Sequence, residues 1–232
     1  SVTTDSPFKC GTIWGSGHFH GSTMQFSDTT LNSIATGMSE LKSPAPPSLS
    51  ADRGSLVEYV LNATFHPIKD DQWRIFESAY IPRSVAARAA YRRATSCLNE
   101  YVAGLPNTHK LDRFRDAIEG FERCIHDVRV AMDLVRHMEA KANGSTNPKK
   151  FVYARHDGSP EDRLAELDNR AKHFAEDILD GDVRHPTPIW LSDEGLICSQ
   201  AELSFVELAQ LLEDLGDNLT FIARDRFHIK SA

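Results

Sequence analysis

From Thr108 to Lys141 the apolar residues Leu111, Phe114, Ile118, Phe121, Ile125, Val128, Met132 and Val135 recur at alternating steps of three and four. That spacing lays an a/d stripe along one side of a helix for more than three heptads. About 30 residues at 1.5 Å rise make a helix about 45 Å long. Packing of its amphipathic face, rather than propensity, must supply most of its stability, so the stripe demands partners.

Three further stretches supply matching stripes. Ser84 caps a run with Ala87, Tyr91, Ala94, Leu98 and Tyr101, stopped by Gly104-Leu105-Pro106. Ser159-Pro160-Glu161-Asp162 sets an N-cap serine, a proline at the first helical position and two acids in the first turn. The stripe after it is Leu164, Leu167, Ala171, Phe174 and Ile178, with Gly181 as the stop. Ser199-Gln200-Ala201-Glu202 has capping-box spacing and precedes Phe205, Leu208, Leu212, Leu215, Leu219 and Ile222.

The expected fold is mainly α, a four-helix bundle over about 84–104, 108–142, 160–180 and 200–224. Two short helices are expected before it. One runs from Leu56 to about Thr64; the other covers Asp70 to Tyr80 and is ended by Pro82. Ile189-Trp190-Leu191 and Leu196-Ile197-Cys198 flank Ser192-Asp193-Glu194-Gly195 and predict a small β-hairpin near 188–198. Residues 1–54, rich in Ser, Thr, Gly and Pro, read as an extended N-terminal arm and linker, with Ser43-Pro44-Ala45-Pro46-Pro47 its clearest linker stretch. Residues 55–232 then form the helical bundle domain, over which the arm, or a neighbouring subunit's arm, would lie.

Composition narrows the setting. No run of about 18 apolar residues and no charged-then-apolar leader occurs, so no membrane partner is expected. The four cysteines lack any C-x-x-C spacing, which disfavours a disulfide framework or a zinc site and makes the cytoplasm the default location. A formal charge of −7 makes nucleic acid a poor partner. The charge is uneven: residues 83–136 hold ten Lys and Arg against seven Asp and Glu, whereas 157–226 hold six against seventeen.

Metal chemistry on inward Glu and His is a common use of a helical bundle, and the long helix carries Glu119, Glu122, His126 and Asp133. On the stripe's register Glu119, His126 and Asp133 fall at b and Glu122 at e; His173 and Asp180 fall at c of the third helix. No Glu-x-x-His pair occurs, so the core is expected to hold no metal and no cofactor. His18-Phe19-His20 in the arm is a weak metal pair with no third ligand near in sequence. Phosphate-loop, dinucleotide and nucleophile-elbow patterns are absent.

The arginines remain. Arg88 and Arg92 stack one turn apart with Arg93 beside them, and Arg115, Arg129 and Arg136 share position e. One reading is a docking surface for an anion or acidic partner. The better one is ion pairing with acids of the third and fourth helices, routine at e and g positions. The expected function is binding of another protein, a basic one, through the acidic C-terminal half and the arm, which would also tie copies into a homo-oligomer. The alternative is a phosphoester- or nucleotide-directed enzyme with Arg88, Arg92, Arg129, His126 and His137 at the bundle rim.

Overall fold

The stripe that begins at Leu111 forms helix α2, Leu111–Ala142, and its neighbour in space is the longer-than-expected helix α1, Asp71–Val102. The computed structural model describes residues 41–50, 71–105, 110–147, 157–181 and 187–225, with side chains of the last stretch as far as Asn218. The expected helix at 56–64, His18 and His20 lie outside the described residues. After α2 come α3 (Pro160–Asp180), strands β1 (Trp190–Leu191), β2 (Gly195–Ile197) and β3 (Glu202–Ser204), and α4 (Phe205–Asp225). Among the described residues the protein is thus mainly helical with one small antiparallel sheet.

Pro82 does not divide 70–80 from 84–104; both belong to α1. The buried positions explain why. Trp73, Glu77, Tyr80, Ser84, Ala87, Tyr91, Ala94, Leu98 and Tyr101 alternate by four and three without a slip, so both halves present one stripe. Pro82 itself is exposed, as is Ser78, whose carbonyl loses its helical donor and is left to water. A mid-helix proline costs about 3 kcal/mol, which one well-buried aromatic such as Tyr80 can offset.

Helices α1 and α2 run antiparallel in close register. Lys141 Nζ donates to Gln72 Oε1, His137 stacks on Phe76, Arg83 pairs with Asp127 and Tyr101 packs on Phe114. Small residues make this approach possible. Ala117, Gly120, Cys124 and Ala131 lie beside the a/d stripe, and a Cβ on Gly120 would stand 2.9 Å from the Ala94 Cβ. The buried surface of α2 is therefore wider than a/d: Phe114 and Phe121 reach the sheet and α4 as well as tyrosines of α1, while Gly120 lets the α1 backbone come close. At its start the stripe opens to solvent, where Leu111 is exposed.

Rings tie the layers together. Phe114 meets Trp190 of β1 at 5.1 Å, and Phe121 lies between Tyr91 and Phe205, at 5.9 and 5.4 Å. The expected hairpin gains a third strand, in the order β1-β2-β3. Leu196 pairs with both Leu191 and Leu203, and the Gly195 Cα lies so close to β3 that a Cβ there would be 2.2 Å from the Leu203 carbonyl oxygen. The capping box accordingly sits five residues later than Ser199. Glu207 Oε2 accepts from Ser204 N, and Ser204 Oγ accepts from Glu207 N, a second S-x-x-E pattern that starts α4 after the strand.

Helix α3 opens as expected, with Ser159 Oγ accepting from Asp162 N, and closes at Gly181 with φ +79°. Its backbone leaves helical geometry at His173 (φ −104°, ψ 15°). Beyond that kink the stripe comes away from the core: Leu164 and Leu167 are buried, whereas Ile178 is exposed.

Gly120→Ala tests the close approach. Helix propensity alone favours alanine by about 1 kcal/mol, but overpacking a tight contact costs about 1–3 kcal/mol. The variant is expected to unfold at lower urea concentration despite its better helix former. Adding Ala94→Gly, which removes the opposing Cβ, should recover part of that loss.

Candidate functional site

Charge enters the interior where a/d assignment does not look for it. Glu77, Arg88, Asp127, Arg136 and Asp168 are all buried. Arg88, Asp127, Arg136 and Asp168 sit beside a stripe and Glu77 on that of α1, and each has apolar neighbours one turn away, as Glu77 has Trp73, Tyr80 and Ile81. That flanking does not single them out in the sequence, since Arg115 borders the same stripe and is exposed. The interior is therefore less apolar than the a/d positions imply. Among the described residues, no three of His, Cys, Asp and Glu converge as a metal ion requires.

The arginines and histidines singled out in the sequence fall into separate groups. Arg88, 6% exposed, donates through Nη1 to the Leu212 carbonyl at 3.0 Å and to Glu213 Oε2 at 3.3 Å, and through Nη2 to the Ser50 carbonyl at 2.9 Å. Arg92 reaches the same carbonyl at 3.4 Å, and Arg93 is exposed. Arg115 pairs with Glu119 on its own helix at 3.5 Å. Arg129 and Arg136 share one carboxylate, at 2.7 and 2.8 Å from Asp133 Oδ1. Of the e-position arginines, then, Arg115, Arg129 and Arg136 meet acids of α2 itself, while Arg88 of α1 crosses to α4.

His137 lies flat on Phe76 with ring centroids 5.4 Å apart. His126 is elsewhere, its Nδ1 3.1 Å from Oδ1 of Asp168, whose other oxygen takes the Lys172 ammonium. A carboxylate only accepts, so Nδ1 is the donating nitrogen of this pair. Asp168 is buried and His126 half exposed, an arrangement that fixes the ring's tautomer. One turn earlier, burial and then repulsion from Glu119 push the Glu122 carboxyl up to about 7.

A cleft of about 330 Å³ opens where α2, the first turn of α3 and α4 meet. Met132, Val135, Leu211 and Leu215 give it an apolar lining. Arg136, Glu139, Glu161, Asp214 and Asn218 add three carboxylates against one guanidinium, and that guanidinium already faces Asp133. The volume lies at the lower end of the range for small-ligand pockets, about 300–1,000 Å³, so it suits one long side chain or a small molecule rather than a large cofactor.

The stretch 41–50 lies along α1 and α4. Asp193 Oδ1, in the β1–β2 turn, accepts from Lys42 N at 2.8 Å and Ser43 N at 3.0 Å, and Tyr91 Oη donates to the Pro47 carbonyl at 2.8 Å. The Glu213 carboxylate accepts from Ser50 N and Ser50 Oγ, each at 2.6 Å. Burial alone would push the Glu213 carboxyl up, but the Ser50 donors and Arg88 outweigh it and hold it below its ordinary range.

Comparison with models of known protein families, with curated proteins and with solved structures finds no match, so the site is read from its own geometry.

Glu122 makes a pH dependence measurable. Between its ordinary 4.5 and about 7 the folded chain keeps a proton that the unfolded chain has lost. The contribution of this residue to stability therefore falls as pH rises through that window and is level above it. Glu122→Gln, which keeps the neutral shape, should raise the Tm relative to the native chain at pH 8 and change it little at pH 4. A gain of equal size at both values would contradict this.

Proposed function

We propose that this chain is a cytoplasmic partner-binding protein, its four helices acting as one bundle, that takes a basic segment of another protein in the cleft between α2, α3 and α4. The observation that carries the reading is the composition of that cleft. Met132, Val135, Leu211 and Leu215 offer a surface for the alkyl stem of an incoming lysine or arginine, and Glu139, Glu161 and Asp214 surround the place where its charged head would rest. Arg136 would repel such a head in isolation, but Asp133 at 2.8 Å offsets its charge. The excess of seventeen acids over six bases in residues 157–226 adds a longer-range attraction for a basic partner. Among the described residues no helix is long and apolar enough to cross a membrane. An arm that ties copies into a homo-oligomer belongs to the same reading.

A second reading, a phosphoester- or nucleotide-directed enzyme at the rim, draws on one observation, the His126 ring oriented by buried Asp168.

The two separate on one set of variants. A short peptide alternating arginine and leucine serves as probe. Its affinity should fall about tenfold, or 1.4 kcal/mol, in Glu139→Gln/Glu161→Gln/Asp214→Asn, and should weaken with salt. Affinity unchanged by the triple substitution would remove the cleft from the account. Turnover of a phosphoester that is abolished by His126→Ala would favour the enzyme.

A further inference from the structure

Away from the cleft, the folded domain already holds one extended stretch of chain. Residues 41–50 contain Pro44, Pro46 and Pro47, whose rings fix φ near −65° and favour an extended, left-handed course with no internal hydrogen bonds. This stretch forms no strand. The folded domain holds it by side chains directed at its backbone: Asp193 on Lys42 N and Ser43 N, Tyr91 on the Pro47 carbonyl, Arg88 on the Ser50 carbonyl, Glu213 on Ser50 N. Side-chain demands are few: one polar side chain, Ser50, bonded through Oγ to Glu213, and three apolar anchors. Leu41 is 2% exposed, Pro44 is buried and Leu49 packs on the core; Lys42, Ser43, Ala45 and Ser48 face solvent.

Proline-rich segments are recognised between proteins by grooves lined with aromatic residues, which exploit a backbone already fixed in extended form; here Tyr91 supplies the aromatic residue and its hydroxyl donates to the Pro47 carbonyl. We propose that the groove formed by Arg88, Tyr91, Asp193 and Glu213 is a receptor for extended proline-rich peptide, and that residues 41–50 are its resident occupant, competing with such a peptide from another chain. A tethered occupant is present at an effective concentration on the order of millimolar, so it masks the groove without abolishing exchange. This inference is independent of the acidic cleft, since the two share no lining residue.

The test uses the full chain and a fluorescent peptide with the sequence of residues 41–50. Leu41→Asp or Pro44→Asp in the chain removes a resident anchor and leaves the groove intact. Either variant, shown to be folded by its unfolding transition, should bind the peptide about tenfold or more tightly than the native chain, because the competing tether is weakened. Adding Tyr91→Phe to the unmasked chain should reverse most of that gain. A folded, unmasked variant that binds no better than the native chain overturns the proposal. The native chain supplies a second readout that needs no variant. Trypsin can cleave the Lys42–Ser43 bond only when this backbone comes away from Asp193, so millimolar peptide, with glutamine in place of its lysine, should accelerate that cleavage. An unchanged cleavage rate would also overturn it.

Discussion

The close packing of α1 on α2 is the constraint from which the rest of the architecture follows. Gly120 leaves only enough room for the Ala94 methyl, so the two helix axes approach until their backbones nearly touch. Dispersion contacts fall off steeply with separation, and a small-residue seam of this kind gains them along the whole length of both helices. Beside that seam the large residues Phe114, Phe121, Ile125 and Val128 of α2 are buried, and Phe114 and Phe121 bridge Tyr101 and Tyr91 of α1 to the sheet and α4. They form the wall against which Trp190, Phe205 and the apolar side of α4 pack. The same approach keeps α1 intact across Pro82. A helix held along its whole length by its neighbour tolerates one missing hydrogen bond on its solvent side.

Much of this was legible in the pattern of residues, and its failures are physical. The bounds of α2 and α3 follow from stripes and caps because those signals are local: Ser159 and Pro160 begin α3 and Gly181 ends it. Pro82 misled because the cost of a mid-helix proline is local while the packing that offsets it is not. Ser199 misled for a similar reason. Two S-x-x-E patterns lie five residues apart, and strand β3, paired to β2 through a register that no local rule supplies, decides that Ser204 rather than Ser199 begins α4.

The candidate sites were less legible. A stripe assignment predicts where apolar residues go and is silent about charged residues at its edges. Arg88 was visible as a bordering cation, but its partners were not, because Leu212 and Ser50 contribute carbonyl oxygens that every residue possesses. The stretch 41–50 reads as linker by composition, and that reading is sound for its local preferences. What it omits is that a chain with little conformational freedom to lose docks at small entropic cost. The cleft, assembled from three helices, has no sequence signature; only its excess of acids was apparent.

A single arrangement accounts for both surfaces: α1 and α4 are held face to face by Arg88 and Tyr80, whose hydroxyl donates to the Leu215 carbonyl, and the extended segment closes over that junction. Amide hydrogen exchange at Lys42, Ser43 and Ser50 in the full chain reads this closure directly. The arrangement predicts slowed exchange at all three amides, donated to Asp193 and Glu213, and restored rapid exchange at Ser50 in Glu213→Ala. Exchange at the rate of a free peptide in the native chain would contradict it.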